Sequence, residues 1–287
     1  MGDMKTSQHV IAYFDIIGYR QILINHELDD KTFIQAIKDI TEHAHGFAKE
    51  VGTYGKNIHV YTFSDNVAIC INVSAEAPKI IALRLLTAIA SYIQLDSILK
   101  YGIFIRGCIT QGEVYTDQNF LYGQGIVDAT EMEKHNAKVP RVIIDKKLVE
   151  TAIVEARQLC EGAKLCKKGA RIDYDNIFFV LDVNTRKTAP EIKKDTDDQH
   201  YVDYLQQFRI LHNITEYTKD ELLVNLEEYS KILRHRMKKF KNERLIFEKY
   251  NWCAEKLKSF LPSIVDWIDL TPDEIEQIKA CHFFLEV

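Results

Sequence analysis

The first half of the chain alternates between short apolar runs and stretches with helical periodicity. Residues 10–14 (Val-Ile-Ala-Tyr-Phe) form a continuous apolar run, which is typical of a buried strand. Apolar residues three and four positions apart then predict a helix, and they are Phe33, Ile37, Ile40, Ala44 and Phe47. Residues 58–63 and 67–73 alternate as strands around Ser64-Asp65-Asn66, which predicts a β-hairpin.

The same alternation continues to about residue 149. The further elements it predicts are a helix from Pro78, strands over 103–110, 113–116 and 141–144, and a helix over 124–134. The resulting order is β-α-α-β-β-α-β-β-α-β, in which helices return over one face of paired strands. We therefore expect an α+β fold with a ferredoxin-like core.

The second half is largely helical after a predicted strand over 176–183. Apolar residues recur at spacings of three and four from Leu222 to Leu257, which predicts one long amphipathic helix with room for a single break. We expect one domain over residues 8–185. A mostly helical C-terminal extension over 186–287 should pack on that core or on a dimer partner.

The predicted long helix also carries a basic segment over residues 231–244. These side chains could contact phosphate. A solvated face, balanced by Glu227, Glu228 and Glu243, is the more common arrangement for such a charge run.

Composition and charge narrow the classes of function. The chain has 287 residues, 46% of them hydrophobic and 28% charged, with a net charge of −5. Nucleic-acid and anionic-membrane binders are normally basic, so we expect neither partner. No apolar run approaches the roughly 18–20 residues that span a bilayer, and the N-terminus lacks a signal-peptide pattern, which predicts a cytoplasmic protein. The six cysteines have no C-x-x-C spacing, so we expect reduced, mostly buried thiols.

Two aspartates and one arginine are candidates for chemistry. Asp15 follows the first apolar strand and precedes Gly18, where a carboxylate can hold a metal ion beside a phosphate. Asp65 lies in the hairpin turn, where aspartate is commonly only a turn former. If the two strands are neighbours, these carboxylates could share two divalent ions about 3.5–4 Å apart, as in displacement at phosphorus. Arg106 could grip phosphate oxygens or form a structural ion pair.

Several segments resemble motifs of the class III nucleotidyl cyclases. They are F-D-I-I-G-Y at 14–19, F-S-D at 63–65, the stretch over 106–114 and Y-G-Q-G-I-V-D-A at 122–129. The combination of D-I-x-G, F-S-D-N, R-G-x-I-x-x-G and A-x-x-x-E-x-x-x-A-x-x-P-R more closely resembles the pyrimidine cyclases of the Pycsar anti-phage system. The late K-Y-N-W at 249–252 is similar to that group as well.

The resemblance implies a homodimer, with active sites at the subunit interface, that converts UTP to 3′,5′-cyclic UMP and pyrophosphate in anti-phage defence. It also implies a separate effector protein that senses the cyclic nucleotide. The residues it implies are Asp15, Asp65 and the Ile16 carbonyl for two Mn²⁺ or Mg²⁺ ions, Arg106 for the triphosphate, and Gly18 and Tyr19 for the nucleotide.

The positions at which purine cyclases read the base hold Tyr61 and Phe120 here. Neither offers the donor and acceptor pair that adenine or guanine needs, although a tyrosine can stack and offer one hydroxyl. On an alternating strand, Tyr61 should face the same side as Asp65, where its ring would favour a one-ring base. We therefore expect UTP first and CTP second.

The positions of the transition-state Asn and Arg hold Val127 and Glu131. Either another residue replaces them, with Arg141 a candidate by proximity in sequence, or the protein is a weak catalyst or a regulatory relic. The alternatives are therefore a cytidylate cyclase, a purine cyclase with an unusual base pocket, and a catalytically inactive cyclase-homology module that acts as a sensor.

Overall fold

The computed structural model of the chain describes residues 5–25, 28–50, 58–74, 78–162, 179–181, 188–214, 218–266 and 268–283. Its strands are β1 (Ser7–Ile16), β2 (Ile58–Phe63), β3 (Asn66–Asn72), β4 (Ile105–Thr116), β5 (Leu121–Tyr122), β6 (Val142–Ile144), β7 (Phe179–Leu181), β8 (Thr188–Pro190), β9 (Ile192–Lys194) and β10 (His200–Val202). Its helices are α1 (Tyr19–Ile24), α2 (Asp30–Glu50), α3 (Lys79–Tyr101), α4 (Gln124–Asn136), α5 (Lys146–Gly162), α6 (Gln206–Ile214), α7 (Lys219–Lys239), α8 (Arg244–Ile264) and α9 (Pro272–Phe283). The α+β class is confirmed.

Strand β1 lies at the centre of the main sheet. It pairs antiparallel with β3 and with β4, and β2 lies outside β3. The order β2-β3-β1-β4 is that of a ferredoxin-like core. Strand β6 runs parallel to β4, and β10 and β9 extend the sheet beyond it, so the sheet continues into residues 192–202.

The two faces of the sheet are covered by different helices. Val10, Ala12 and Phe14 of β1 point into the core that also contains buried residues of α2, α3 and α5. Ile11 and Tyr13, at the alternating positions, point to the face that α4 covers. Among the described helices, only α3 is long and apolar enough to cross a membrane, and 67% of its most apolar window is buried.

The predicted break between strands over 103–110 and 113–116 is wrong. Strand β4 is continuous and turns back only after Thr116, through residues 117–120, into β5. Gly112 serves a different purpose: a Cβ built there would lie 2.5 Å from the Cα of Gly125 on α4. Glycine at this position therefore allows a helix to approach the strand closely, instead of ending the strand.

The C-terminal helices form a second core against α3. The helix predicted over 222–257, for which a single break was allowed, is broken once: it forms α7 and α8, separated by residues 240–243. Its apolar residues are buried within the chain, with Leu226, Leu233 and Leu257 each at 0% exposure. Of the two expected locations for this stripe, the core is therefore the one observed, and these residues are not a surface for a dimer partner.

The described cysteine side chains agree with the expected reduced thiols. Cys70, Cys108, Cys253 and Cys281 are free and buried. The side chains of the other two cysteines lie outside the described residues, as does most of the strand predicted over 176–183, of which β7 is described.

Candidate active site

Asp15 lies near the end of β1, between β3 and β4. In the sheet register it is opposite Asn66 on β3 and opposite Arg106 on β4. Its neighbours Phe14 and Ile16 point into the core on the other face. The alternation of the strand therefore places a carboxylate, 17% exposed at its side chain, on the face that α4 covers.

Asp65 lies in the two-residue turn of the β2–β3 hairpin. The preceding Ser64 has a φ of +59°, a conformation that few residues other than glycine adopt. Its hydroxyl donates to the Tyr19 hydroxyl oxygen at 3.1 Å, which ties the turn to α1. Because β3 pairs with β1, the turn lies next to Asp15. The pKa of Asp15 is raised, mainly by burial. Arg106 opposes this shift, whereas the charge of Asp65 adds to it.

Arg106 bridges two carboxylates. Its Nε lies 2.8 Å from Oδ2 of Asp15 and 2.7 Å from Oε1 of Glu133 on α4. The structural ion pair weighed from the sequence is thus formed, and it holds the guanidinium beside Asp15. Tyr13, on the same face of β1, donates its hydroxyl to Oδ1 of Asn66 at 2.8 Å.

Two site residues had no role assigned from the sequence, Glu133 and Lys249. Glu133 is 6% exposed, and its pKa is raised by burial and then by Asp15 and Asp65, while Arg106 opposes the shift. Lys249, on α8, interacts electrostatically with the cluster. Burial and then the charge of Arg106 lower its pKa, while Asp15 and Glu133 oppose that shift. Both residues lie in segments that carry the resemblance, 129–141 and 249–252, so a signal for them was present.

The two residues expected to contact the base lie in different environments. Tyr61 lies in the same buried cluster as Ile11 of β1, on the face that carries Asp15, and it is only 7% exposed. Its hydroxyl donates to the carbonyl of Asp117 at 2.6 Å, so that hydroxyl is used within the chain. Phe120 is 56% exposed and stacks on Tyr122 with ring centroids 6.4 Å apart.

The positions that depart from the cyclase motifs are exposed on α4. Val127 is 50% exposed, and Glu131 pairs with His135 at 2.9 Å. Arg141, considered as a replacement, is 3% exposed and forms ion pairs with Asp195 and with Asp197. Its guanidinium is therefore paired within a buried cluster and is not available as a transition-state residue.

A separate group on α2 and α3 has metal-like spacing. Asp39, His43 and Asp96 each offer a ligand atom, and these atoms lie within 4.8 Å of one another. Lys100 Nζ lies 3.1 Å from Asp96, and Tyr101 donates to Asp39 at 2.6 Å. The carboxylates are thus already balanced by a cation and a donor from the chain, and the group shares no residue with Asp15 and Asp65.

No protein-family model and no curated protein matches this sequence. Among solved structures, the chain is similar to the catalytic core of a rhodopsin-guanylyl cyclase with converted specificity, in complex with ATPαS, at 15% identity over 51% of this chain and 81% of that one, with a TM-score of 0.40. It is similar to a bacterial light-regulated adenylyl cyclase at 12% identity over 79% of this chain and 57% of that one, with a TM-score of 0.39. It is similar to a class III adenylyl cyclase-like ATP-binding protein from Pseudomonas aeruginosa at 12% identity over 51% of this chain and 35% of that one, with a TM-score of 0.36.

Proposed function

We propose that the protein is a nucleotidyl cyclase that converts UTP, and less efficiently CTP, to the 3′,5′-cyclic monophosphate and pyrophosphate. The observation that carries this proposal is the juxtaposition of Asp15 and Asp65 at the ends of neighbouring strands, with Arg106 beside them. In this reaction the ribose 3′-oxygen bonds to the α-phosphorus. The bond from that phosphorus to the oxygen bridging to the β-phosphate breaks, and the hydroxyl proton is released.

The donor set fits two divalent cations, Mn²⁺ or Mg²⁺. Carboxylate oxygens of Asp15 and Asp65, together with the Ile16 carbonyl, are the hard oxygen ligands that such ions prefer. Two neighbouring carboxylates, one of them largely buried, are a like-charge pair that a cation stabilises. When bound, the ions lower the pKa of the ribose hydroxyl and neutralise the leaving pyrophosphate.

Arg106 is suited to hold the phosphate chain. A guanidinium carries five N–H donors, and the close contacts to Asp15 and Glu133 both involve Nε. Nη1 donates one of its hydrogens to the Ala137 carbonyl at 3.5 Å. The remaining N–H groups of the terminal nitrogens can donate to phosphate oxygens while the two carboxylates hold the orientation of the guanidinium. Glu133 is in this proposal a positioning residue, because it acts on the nucleotide through Arg106.

The preference for a pyrimidine rests on Tyr61 and Phe120. The Tyr61 hydroxyl donates its proton to the Asp117 carbonyl, so it cannot also donate to a base edge, and the ring is the part of the side chain proposed to stack on the base. Phe120 has no hydrogen-bonding side-chain atom, so a purine edge placed there would lose partners worth about 1–3 kcal/mol each. Uracil is placed before cytosine on the motif resemblance alone.

We also propose that the active form is a cytoplasmic homodimer with its sites at the interface. The apolar surface that supports this lies on the hairpins and the helix around the site, where Phe63, Phe120, Tyr122 and Val127 are 48–66% exposed. The cyclic nucleotide would act on a separate effector protein in anti-phage defence. Sedimentation of the active protein tests the assembly, and an active monomer would refute it.

Product identification tests the central proposal. The protein is incubated with equimolar UTP, CTP, ATP and GTP and with Mn²⁺, and the products are separated by chromatography. We expect cyclic UMP as the main product, and Asp15→Asn and Asp65→Asn should each lower turnover by at least about 100-fold. Asp96→Asn, which alters the carboxylate group on α2 and α3, is the matched control and should keep activity. Substantial turnover in either site variant would refute the metal-ligand assignment, and a purine product would overturn only the base preference.

A second candidate function is nucleotide binding without turnover. It is favoured by the exposed Val127 and Glu131, which provide neither an amide nor a guanidinium at the transition-state positions. Equilibrium dialysis with labelled UTP separates the two functions, since a sensor module would bind the nucleotide and return it unchanged.

A further inference from the structure

A small cavity lies beside the carboxylate cluster, between the turn that follows β1 and the C-terminal helices. Its volume is about 140 Å³. Ile17 and Gly18, two and three residues after Asp15, form one wall. Arg236 of α7 and Lys249 of α8 add two cationic side chains to the lining. The helical extension therefore contributes directly to the neighbourhood of the candidate active site.

The character of this cavity suits an anion. Among the described residues, no acidic side chain lines it, and most of the remaining lining is aliphatic or aromatic. Charges of one sign between apolar walls produce a focused field, because the walls screen it poorly. Sites for drug-sized ligands measure about 300–1,000 Å³, so this cavity is too small for a nucleoside. A phosphate group is a better match in both size and charge.

One of the two cationic side chains is held in place before any ligand arrives. Nη2 of Arg236 donates to the carbonyl of Gly102 at 3.1 Å, which fixes the guanidinium at the cavity wall. Lys249 lines the cavity, and its charge interacts with the charges of Arg106, Asp15 and Glu133. Groups that are already ordered lose less entropy when they bind.

A wider hollow of about 460 Å³ adjoins the cavity and shares Arg236 with it. Its lining includes Lys231, His235 and Lys239 of α7, and Glu228 is the one acidic residue of that lining within the described chain. Part of the basic segment therefore lines the cavity and the hollow, and the rest, including Lys238 and Arg244, is exposed to solvent.

We propose that this cavity binds the outer phosphates of the substrate through Arg236 and Lys249, and that pyrophosphate leaves along the basic hollow. The chemical class of the ligand is a condensed phosphate, either the tail of a nucleoside triphosphate or free pyrophosphate. The assignment to a nucleotide rests on the proposed cyclase function, whereas the anion site stands on the cavity itself.

The experiment measures binding of inorganic tripolyphosphate by isothermal titration calorimetry, without nucleotide and in the presence of Mg²⁺. Arg236→Gln and Lys249→Met should each weaken binding by about tenfold, the effect of losing one charge-assisted hydrogen bond. Lys249→Arg should restore much of it. Lys238→Gln and Arg244→Gln also remove one positive charge each, from exposed positions that do not line the cavity, and should stay within about twofold of the wild type.

The outcomes separate this inference from the proposed function. Equal binding by the wild type and the cavity variants would overturn the inference, even if the protein proves to be a cyclase. Loss of binding in those variants, with no cyclic product from any triphosphate, would overturn the function and keep the anion site. Pyrophosphate that binds without competing with UTP would place the site away from the substrate and overturn its assignment. Circular dichroism checks folding, and Lys249→Met decides alone if Arg236→Gln melts early through its lost contact to Gly102.

Discussion

Asp195 joins α8 to the edge of the sheet, and its substitution should measurably destabilise the fold. It forms an ion pair with Arg141 and accepts hydrogen bonds from Trp252 Nε1 and Lys256 Nζ, both at 2.8 Å. Its side chain is 3% exposed. Burial alone would raise its pKa, yet the hydrogen bonds from Lys256, the Thr196 N–H and Trp252 outweigh burial and lower the pKa to about 2.

The size of the effect follows from that pKa. Between the ordinary value of 3.8 and about 2 the difference is about 1.8, and one pKa unit corresponds to about 1.4 kcal/mol. The ionised carboxylate of Asp195 therefore stabilises the folded state by about 2.5 kcal/mol. Because the folded-state pKa is depressed, this contribution is complete above about pH 4 and is lost as the pH falls toward 2.

Asp195→Asn tests this value, because it keeps the side-chain shape and one acceptor but removes the charge. We expect the free energy of unfolding, measured in urea at pH 7, to fall by about 2.5 kcal/mol. The difference from the wild type should shrink at pH 3. Asp198→Asn, three residues further along the same turn and 68% exposed at its side chain, is the matched control and should show no comparable loss. A difference below about 0.5 kcal/mol at pH 7, or one that is unchanged at pH 3, would refute the reasoning.

Two further predictions concern the contact between α4 and the sheet. Gly112→Ala should destabilise the fold by about 1–3 kcal/mol, because the new Cβ would lie 2.5 Å from the Cα of Gly125. Gly46→Ala in α2 is the control: a Cβ there would meet no atom within 4 Å, so the variant should be as stable as the wild type or more stable. Thermal melts of both variants measure the difference. Glu133→Gln should lower kcat/KM by about tenfold or more, because Arg106 loses one of the carboxylates that hold it. The melting temperature should stay the same or rise. The pKa of Glu133 is raised in the folded state, so its ionised form lowers the stability of the fold above that pKa. A lower melting temperature with full activity would contradict this role for Glu133.

The sequence alone determined the sheet core and the place of its first carboxylate. Period-two alternation and short apolar runs are local properties, so they predicted β1, the β2–β3 hairpin and the general alternation of strands and helices. They also placed Asp15 and Asp65 at strand ends that could meet. Where the pattern was ambiguous the prediction failed: Gly112 suggests a turn in isolation, and only the packing of α4 shows that it serves a close helix contact.

The tertiary structure decided which distant charges share the site. Glu133 comes from α4, Lys249 from α8 and Arg236 from α7, and their proximity to Asp15 depends on how the helices dock. Periodicity along the chain specifies which face of a helix is apolar, but not what that face packs against. The stripe from 222 to 257 was therefore equally suited to a partner or to the core, and burial against α3 settled it. Local propensity determines elements, whereas the free energy of burying apolar surface determines which of them meet.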